Sequence, residues 1–405
     1  MPQANGPKGP SERATIVRIL LALVVIAVVA VAGVYFVKHR NGSAGSPESS
    51  TEAASPTPQP SPEVPVCGEG DALLSAMSTR DKLAQLLMVG VTGADDARAV
   101  VEDQHVGGIF LGSWTDMSML TDGSLTEIAA AADPLPLAVS VDEEGGRVQR
   151  LSKIIGSQPS PRVLAQTNTP AEVHDIAFRR GQAMKQLGIT IDFAPVVDVT
   201  TEADDDVIGD RSFGSDPATV VEFAGAYAQG LRDAGLLPVL KHFPGHGHGS
   251  GDSHLGDVTT PALAELQASD LVPYRTLTTA APIAVMVGHL EVPGLTTDEP
   301  TSLTPGVYDL LRSGKYGGPP FTGPVFTDDL SSMKAISDHF GVAEAALKAL
   351  QAGADVALWV TTDEVPAVLD RLTSAVNSGE LDMAKVDQSV LRVAGFKGKS
   401  PRCGG

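Results

Sequence analysis

Between Lys241 and His254 the chain reads KHFPGHGHGSGDSH, a stretch that holds four histidines and an aspartate among glycines. Histidine changes charge near neutral pH, so such a segment can move protons where ordinary connecting chain cannot. Asp252 stands two residues before His254, close enough for its carboxylate to fix one imidazole tautomer and raise its proton affinity, as a general acid requires. The glycine and proline content predicts a mobile loop following a strand end. A second pair, Asp328 and Asp329, closes the apolar run PVFTDDL. Neighbouring strand residues point to opposite sides, so one of the two can face a site and the other cannot. Two rival readings share these residues: a metal-dependent barrel hydrolase whose ligands lie around 242–254, and a tethered wall-binding protein without catalysis.

The elements that would position these groups recur along the chain. Short apolar runs lie at 86–91, 106–112, 137–142, 189–199, 236–243, 283–290, 324–330 and 354–360. The segments between them, such as AEVHDIAFRRGQAMKQL and PATVVEFAGAYAQGLRDAG, repeat apolar residues at helical spacing. Strands alternating with helices over this length predict an α/β fold, a (β/α)₈ barrel spanning 67–403. Asp142, Asp198, Lys241, His242, His289, Asp328 and Asp329 all fall at or just past the C-terminal end of a run. Barrel active sites are built on that face.

The residues Lys241-His242-Phe243-Pro244-Gly245-His246-Gly247, followed after four positions by Asp252-Ser253-His254, closely resemble a motif of glycoside hydrolase family 3 β-N-acetylglucosaminidases. Three further segments extend the resemblance over about 70–395. They are Val141 to Arg150 (VDEEGGRVQR), Arg211-Ser212-Phe213-Gly214, and Phe326-Thr327-Asp328-Asp329-Leu330. The resemblance implies Asp328 as nucleophile, His254 as acid/base with Asp252 behind it, and Asp142, Arg150, Arg211, Lys241, His242 and His289 as sugar contacts. It implies no metal or other cofactor. Two departures stand out: His248-Gly249 replaces the family's usual Asp-Thr, and Ser331-Ser332 is one residue longer than the usual spacing before Met333.

The chemistry implied is retaining hydrolysis of a terminal β-linked N-acetylhexosamine. Asp328 would form a glycosyl-enzyme, and His254 would protonate the departing oxygen and then activate water. A neutral histidine adds no repulsion toward an incoming anion, so phosphate in place of water is the variant reading.

The ends of the chain carry a different kind of information. Residues 1–18 form a short basic tail, and 19–37 run for nineteen residues without a charge, flanked by Arg13, Arg18, Lys38 and Arg40. That length suffices for a membrane-spanning helix, and the absence of a convincing cleavage site predicts an uncleaved signal anchor. Within the following 38–66, residues 41–66 hold six prolines and six serines, the composition of a disordered tether. Residues 1–40 sum to +4 and 41–66 to −3, so the remainder carries −21 of the total −20. So acidic a domain excludes nucleic acid as a partner. Cys67 and Cys403 bracket the folded region, and a disulfide between them would need an oxidising compartment. These features together predict a single-pass membrane protein with an extracytoplasmic, monomeric catalytic domain; with the small carbohydrate substrate that the resemblance implies, that location makes peptidoglycan fragments the expected source.

Overall fold

The computed structural model describes residues 70–398. The basic tail, the apolar run 19–37, the linker 38–66, Cys67 and Cys403 lie outside the described residues. Among the described residues no helix is long and apolar enough to cross a membrane.

Eight parallel strands form one sheet: β1 Leu87–Gly90, β2 Gly108–Leu111, β3 Ala138–Val141, β4 Ile191–Asp192, β5 Leu237–Phe243, β6 Ala284–Val287, β7 Val325–Thr327 and β8 Ala357–Trp359. Each pairs with the next, and β8 returns to β1 through Leu87↔Ala357, Met88↔Leu358 and Val89↔Trp359. Between β7 and β8 the contact is a single bridge, Phe326↔Val356, supported by Thr327 N–H donating to the Val356 carbonyl at 3.0 Å. The sheet is thus a nearly closed parallel barrel, consistent with the (β/α)₈ expectation. Each of the eight apolar runs contains one of the strands.

Nearly every strand residue is buried, as expected where helices cover one face of a sheet and side chains fill the other. Phe110 on β2, Phe193 just after β4 and Phe326 on β7 meet at centroid distances of 5.8 and 5.6 Å. These strands are not neighbours, so their rings can only meet inside the barrel, where they form an aromatic layer. β4 is shorter than its apolar run 189–199 because Pro195 has no N–H to give a ladder; pairing resumes as one bridge, Val196↔Lys241.

Outside the barrel, the long helices α1 Pro170–Gln186 and α2 Pro217–Asp233 each begin with proline after a side-chain cap, Thr169 and Asp216 respectively. They approach closely at Gly230, where an added Cβ would lie 2.4 Å from the His174 carbonyl oxygen. After β3 the chain makes a small hairpin, Glu143–Gly145 with Val148–Gln149, which sequence periodicity did not predict. Its turn uses Gly145 and Gly146 at φ +99° and +59°, a region open to glycine.

Candidate active site

Five of the eight strands send polar groups to the C-terminal mouth of the barrel, and their charges interlock. Asp142 follows β3, and its Oδ1 accepts from Lys241 Nζ at 2.6 Å. The same ammonium lies 2.7 Å from Glu144 Oε1. Glu144 also receives Arg211 in a two-pronged pair, Nε to Oε2 at 2.8 Å and Nη2 to Oε1 at 2.9 Å. Arg150 Nη2 stands 3.7 Å from Asp142 Oδ2. Burial alone would raise the Glu144 pKa, but Arg211 and Lys241 hold it well below the usual carboxylate range. Burial would likewise discharge Lys241, yet Asp142 and Glu144 keep its pKa above the ordinary value.

At the end of β5 the pairing register shifts between Leu240 and Phe243, and the Lys241–His242 peptide is cis. Lys241 and His242, though adjacent, both contribute to the cluster. His242 Nδ1 lies 2.7 Å from Asp198 Oδ2, so the carboxylate accepts a hydrogen bond from Nδ1–H and leaves Nε2 toward the mouth. Nε2 stands 4.0 Å from Asp328 Oδ2 and 3.5 Å from Arg211 Nη2. Asp198 further accepts the backbone N–H groups of His242 at 3.2 Å and His246 at 2.8 Å. It therefore fixes the root of the Lys241–His254 stretch as well as the imidazole. Burial opposes its charge, but these partners lower its pKa.

The two aspartates after β7 separate as strand alternation requires. Asp329 turns to the following turn, its Oδ1 accepting from Ser331 N–H and hydroxyl at 2.8 Å each and its Oδ2 accepting from Ser332. Asp328 faces the cluster, and its Oδ1 accepts the Asp329 N–H at 2.9 Å. Burial would raise its pKa, but His242, His289 and that N–H bring it down to about 2. A carboxylate kept ionised at the mouth of the barrel has the electronic state that a nucleophile requires.

His289 is 1% exposed, with both ring nitrogens engaged. Nε2 donates to the Asp329 carbonyl at 2.8 Å, so Nδ1 accepts from the Ser302 hydroxyl at 2.7 Å. This ring braces the backbone at Asp328–Asp329; neither nitrogen is left for a sugar hydroxyl.

The histidine-rich stretch divides. His246 is buried, its Nε2 at 3.3 Å from Ser253 Oγ, and burial lowers its pKa. His248, the departure noted in the sequence, pairs through Nδ1 with both oxygens of buried Asp270 at 3.0 and 3.1 Å, which raises its pKa. Farther along, His254 has a side chain 62% exposed. Its Nδ1 is 2.8 Å from Asp252 Oδ1, which also accepts its backbone N–H at 2.9 Å. The acid/base candidate and its carboxylate are thus paired, and His254 makes no hydrogen bond to Asp328 among the described residues. Asp142, Arg150, Arg211, Lys241, His242 and Asp328 are gathered into one cluster. Glu144 and Asp198 join them; the sequence reading put Asp198 on this face without giving it a role, and named Glu144 only as part of the segment Val141 to Arg150. Glu144's position in VDEEGG, two residues after Asp142, was the available signal.

Residues 78–396 match the family model described as "Glycosyl hydrolase family 3 N terminal domain". The Beta-hexosaminidase LpqI of Mycobacterium tuberculosis (strain ATCC 25618 / H37Rv) is 63% identical over 382 residues, covering 94% of this chain and 98% of that protein. A solved glycosyl hydrolase of the GH3 family from Mycobacterium smegmatis superposes with a TM-score of 0.80 at 70% identity, covering 80% of this chain and 98% of that one. A GH3 β-N-acetylglucosaminidase structure from a Paenibacillus strain gives 0.74 at 34% identity, over 79% of this chain and 62% of the other. With the barrel and its charged mouth, these matches establish the chain as a glycoside hydrolase belonging to glycosyl hydrolase family 3.

Proposed function

We propose that the protein is a retaining exo-β-N-acetylglucosaminidase that releases terminal β-linked N-acetylhexosamine. The observation that carries this reading is the state of Asp328: ionised, aimed at the cluster, and distinguished from Asp329 by the latter's commitment to Ser331 and Ser332. Asp328 attacks the anomeric carbon as the glycosidic bond breaks, giving a covalent glycosyl-enzyme. His254 gives its proton to the leaving oxygen, and Asp252 stabilises the imidazolium that takes part in the cycle. The His254 base form then removes a proton from water, which displaces Asp328 from the sugar. Asp142, Arg150, Arg211, Lys241 and His242 orient the sugar by its hydroxyls and amide. His254 is exposed, so it reaches the reacting oxygen through movement of its loop.

The names borne by the relatives, Beta-hexosaminidase and β-N-acetylglucosaminidase, support this substrate class. The apolar run 19–37 and the linker support a membrane-tethered enzyme acting outside the cell on peptidoglycan fragments. Product analysis on wall fragments with wild type and Asp328→Ala tests the reading. Release of N-acetylglucosamine by wild type alone is the expected result, and equal release by both would end the assignment.

A further inference from the structure

Trp114 lies in the loop after β2 with 46% of its surface exposed, whereas the chain's other tryptophan, Trp359, is fully buried. Its six-membered ring lies over Gly112, where an added Cβ would come within 2.3–2.5 Å of ring carbons Cη2, Cζ2 and Cζ3. Glycine there lets the indole fold back on the end of β2. The indole also stands 6.0 Å from Phe110, the outermost member of the aromatic layer that leads through Phe193 to Phe326. Phe326 is two residues before Asp328.

Beside the indole opens a cleft of about 410 Å³, whose lining includes Thr92, Thr361, Thr362 and Asp363. Thr92 and Thr362 are tied to Asp96, and Thr361 to Glu364. The exposed Asp363 carboxylate makes no hydrogen bond or ion pair among the described residues. The cleft is joined to the nucleophile's own turn: Val360, another lining residue, donates its N–H to Ser331 Oγ at 3.1 Å, and that hydroxyl donates to Asp329 at 2.8 Å. A solvent-facing aromatic beside hydroxyls and a free carboxylate acceptor suits a pyranose, whose C–H face packs on a ring while its hydroxyls donate outward. With the glycone held by Asp142, Arg211 and Lys241, this cleft lies on the other side of Asp328 along the barrel rim, over β8, β1 and β2.

We propose that Trp114 is the stacking platform for the leaving-group sugar, with Asp363 accepting one of its hydroxyls, which makes the enzyme selective for β-linked disaccharide units over simple glycosides. This rests on the reading of Asp328 as nucleophile. The test compares kcat/KM for the β-1,4-linked disaccharide of N-acetylglucosamine and for its methyl β-glycoside, which lacks a second ring. Aryl glycosides are unsuitable because an aryl group also stacks. Trp114→Ala should lower kcat/KM for the disaccharide about tenfold and leave the methyl glycoside unchanged, while Trp114→Phe restores most of the loss. An equal change for both substrates, or none, would overturn the proposal.

A binding measurement separates this from the underlying reading. In Asp328→Asn, the disaccharide should shield Trp114 from acrylamide quenching, and N-acetylglucosamine alone should not. If wild type cleaved neither substrate yet the disaccharide still shielded the indole, the nucleophile assignment would fail while the platform stood. Cleavage of both substrates without shielding would overturn the platform alone.

Discussion

Replacing Glu144 by glutamine removes one charge from the centre of the cluster while keeping the side chain's shape. Glu144 is 1% exposed and is the shared partner of Arg211 and Lys241, at 2.8, 2.9 and 2.7 Å. In Glu144→Gln an amide NH₂ must face one of two buried cations. Breaking a buried ion pair from one side costs about 3–5 kcal/mol. The retained amide oxygen still accepts one hydrogen bond, so the lower figure, about 3 kcal/mol, is expected. For a domain the size of residues 70–398, an unfolding entropy of about 2.1 cal/mol/K per residue turns this into a Tm lower by roughly 4 °C.

The pH dependence gives a sharper signature. The Glu144 carboxyl titrates below its unfolded value, so its stabilisation is fully present above the ordinary carboxylate range, about 4.3, and fades as pH falls through the lowered value. The stability gap between wild type and variant should therefore be widest at neutral pH and narrow in acid. Denaturant melts at pH 7 and in the acid range down to about pH 3 measure it. A gap that stays constant, or an absence of destabilisation at pH 7, would refute the idea that Glu144 neutralises the two cations.

Other consequences follow from the same geometry. Asp328→Asn should reduce kcat by about 10³-fold or more, about 4 kcal/mol of barrier. Asp329→Ala should instead cost stability, since it releases the Ser331–Ser332 turn; steady-state kinetics and thermal melts distinguish them. Because the Asp328 pKa is depressed to about 2, this carboxylate is ionised and competent at all higher pH and loses function only as pH falls through that value. The acid limb of kcat/KM above about pH 4 should then be unchanged by His289→Gln, which removes one of the groups that lower the Asp328 pKa; a shift of that limb would show that Asp328 itself titrates there, against the lowered value. Asp252→Asn, which deprives the exposed His254 of its 2.8 Å carboxylate, should lower kcat about 10²-fold with little change in KM for the glycone, and a pure KM effect would contradict a proton-moving role.

The strands were legible because each is buried on both faces and so reads as an unbroken apolar run, from LLMVGV to ADVALWV. Where the run misled, at 189–199, the cause was a proline that its hydropathy hides. The polar ends of those runs gather at one mouth of the barrel, and Asp328 and Asp329 take different partners there, as strand alternation expects. What the sequence concealed are roles created by long-range pairing. Glu144 acquires its importance from Arg211 and Lys241 on other segments, and Asp198 from the imidazole of His242. His289 reads as a strand-end polar group like the rest, yet Ser302 and the Asp329 carbonyl take both its nitrogens. The hairpin after β3 was hidden because its residues, EEGGRVQ, lack alternating apolar positions. Trp114 stands out only once its position over Gly112 is known.

The central claim is that Asp328 carries the sugar between the two half-reactions. A 5-fluoro-N-acetylglucosaminyl substrate, which slows hydrolysis of the glycosyl-enzyme, followed by proteolysis and mass spectrometry, tests it directly. The expected result is one glycosyl adduct on the peptide containing Asp328, localised to that residue and absent from Asp328→Asn. An adduct on Asp329, or none while the substrate still turns over, would contradict the account.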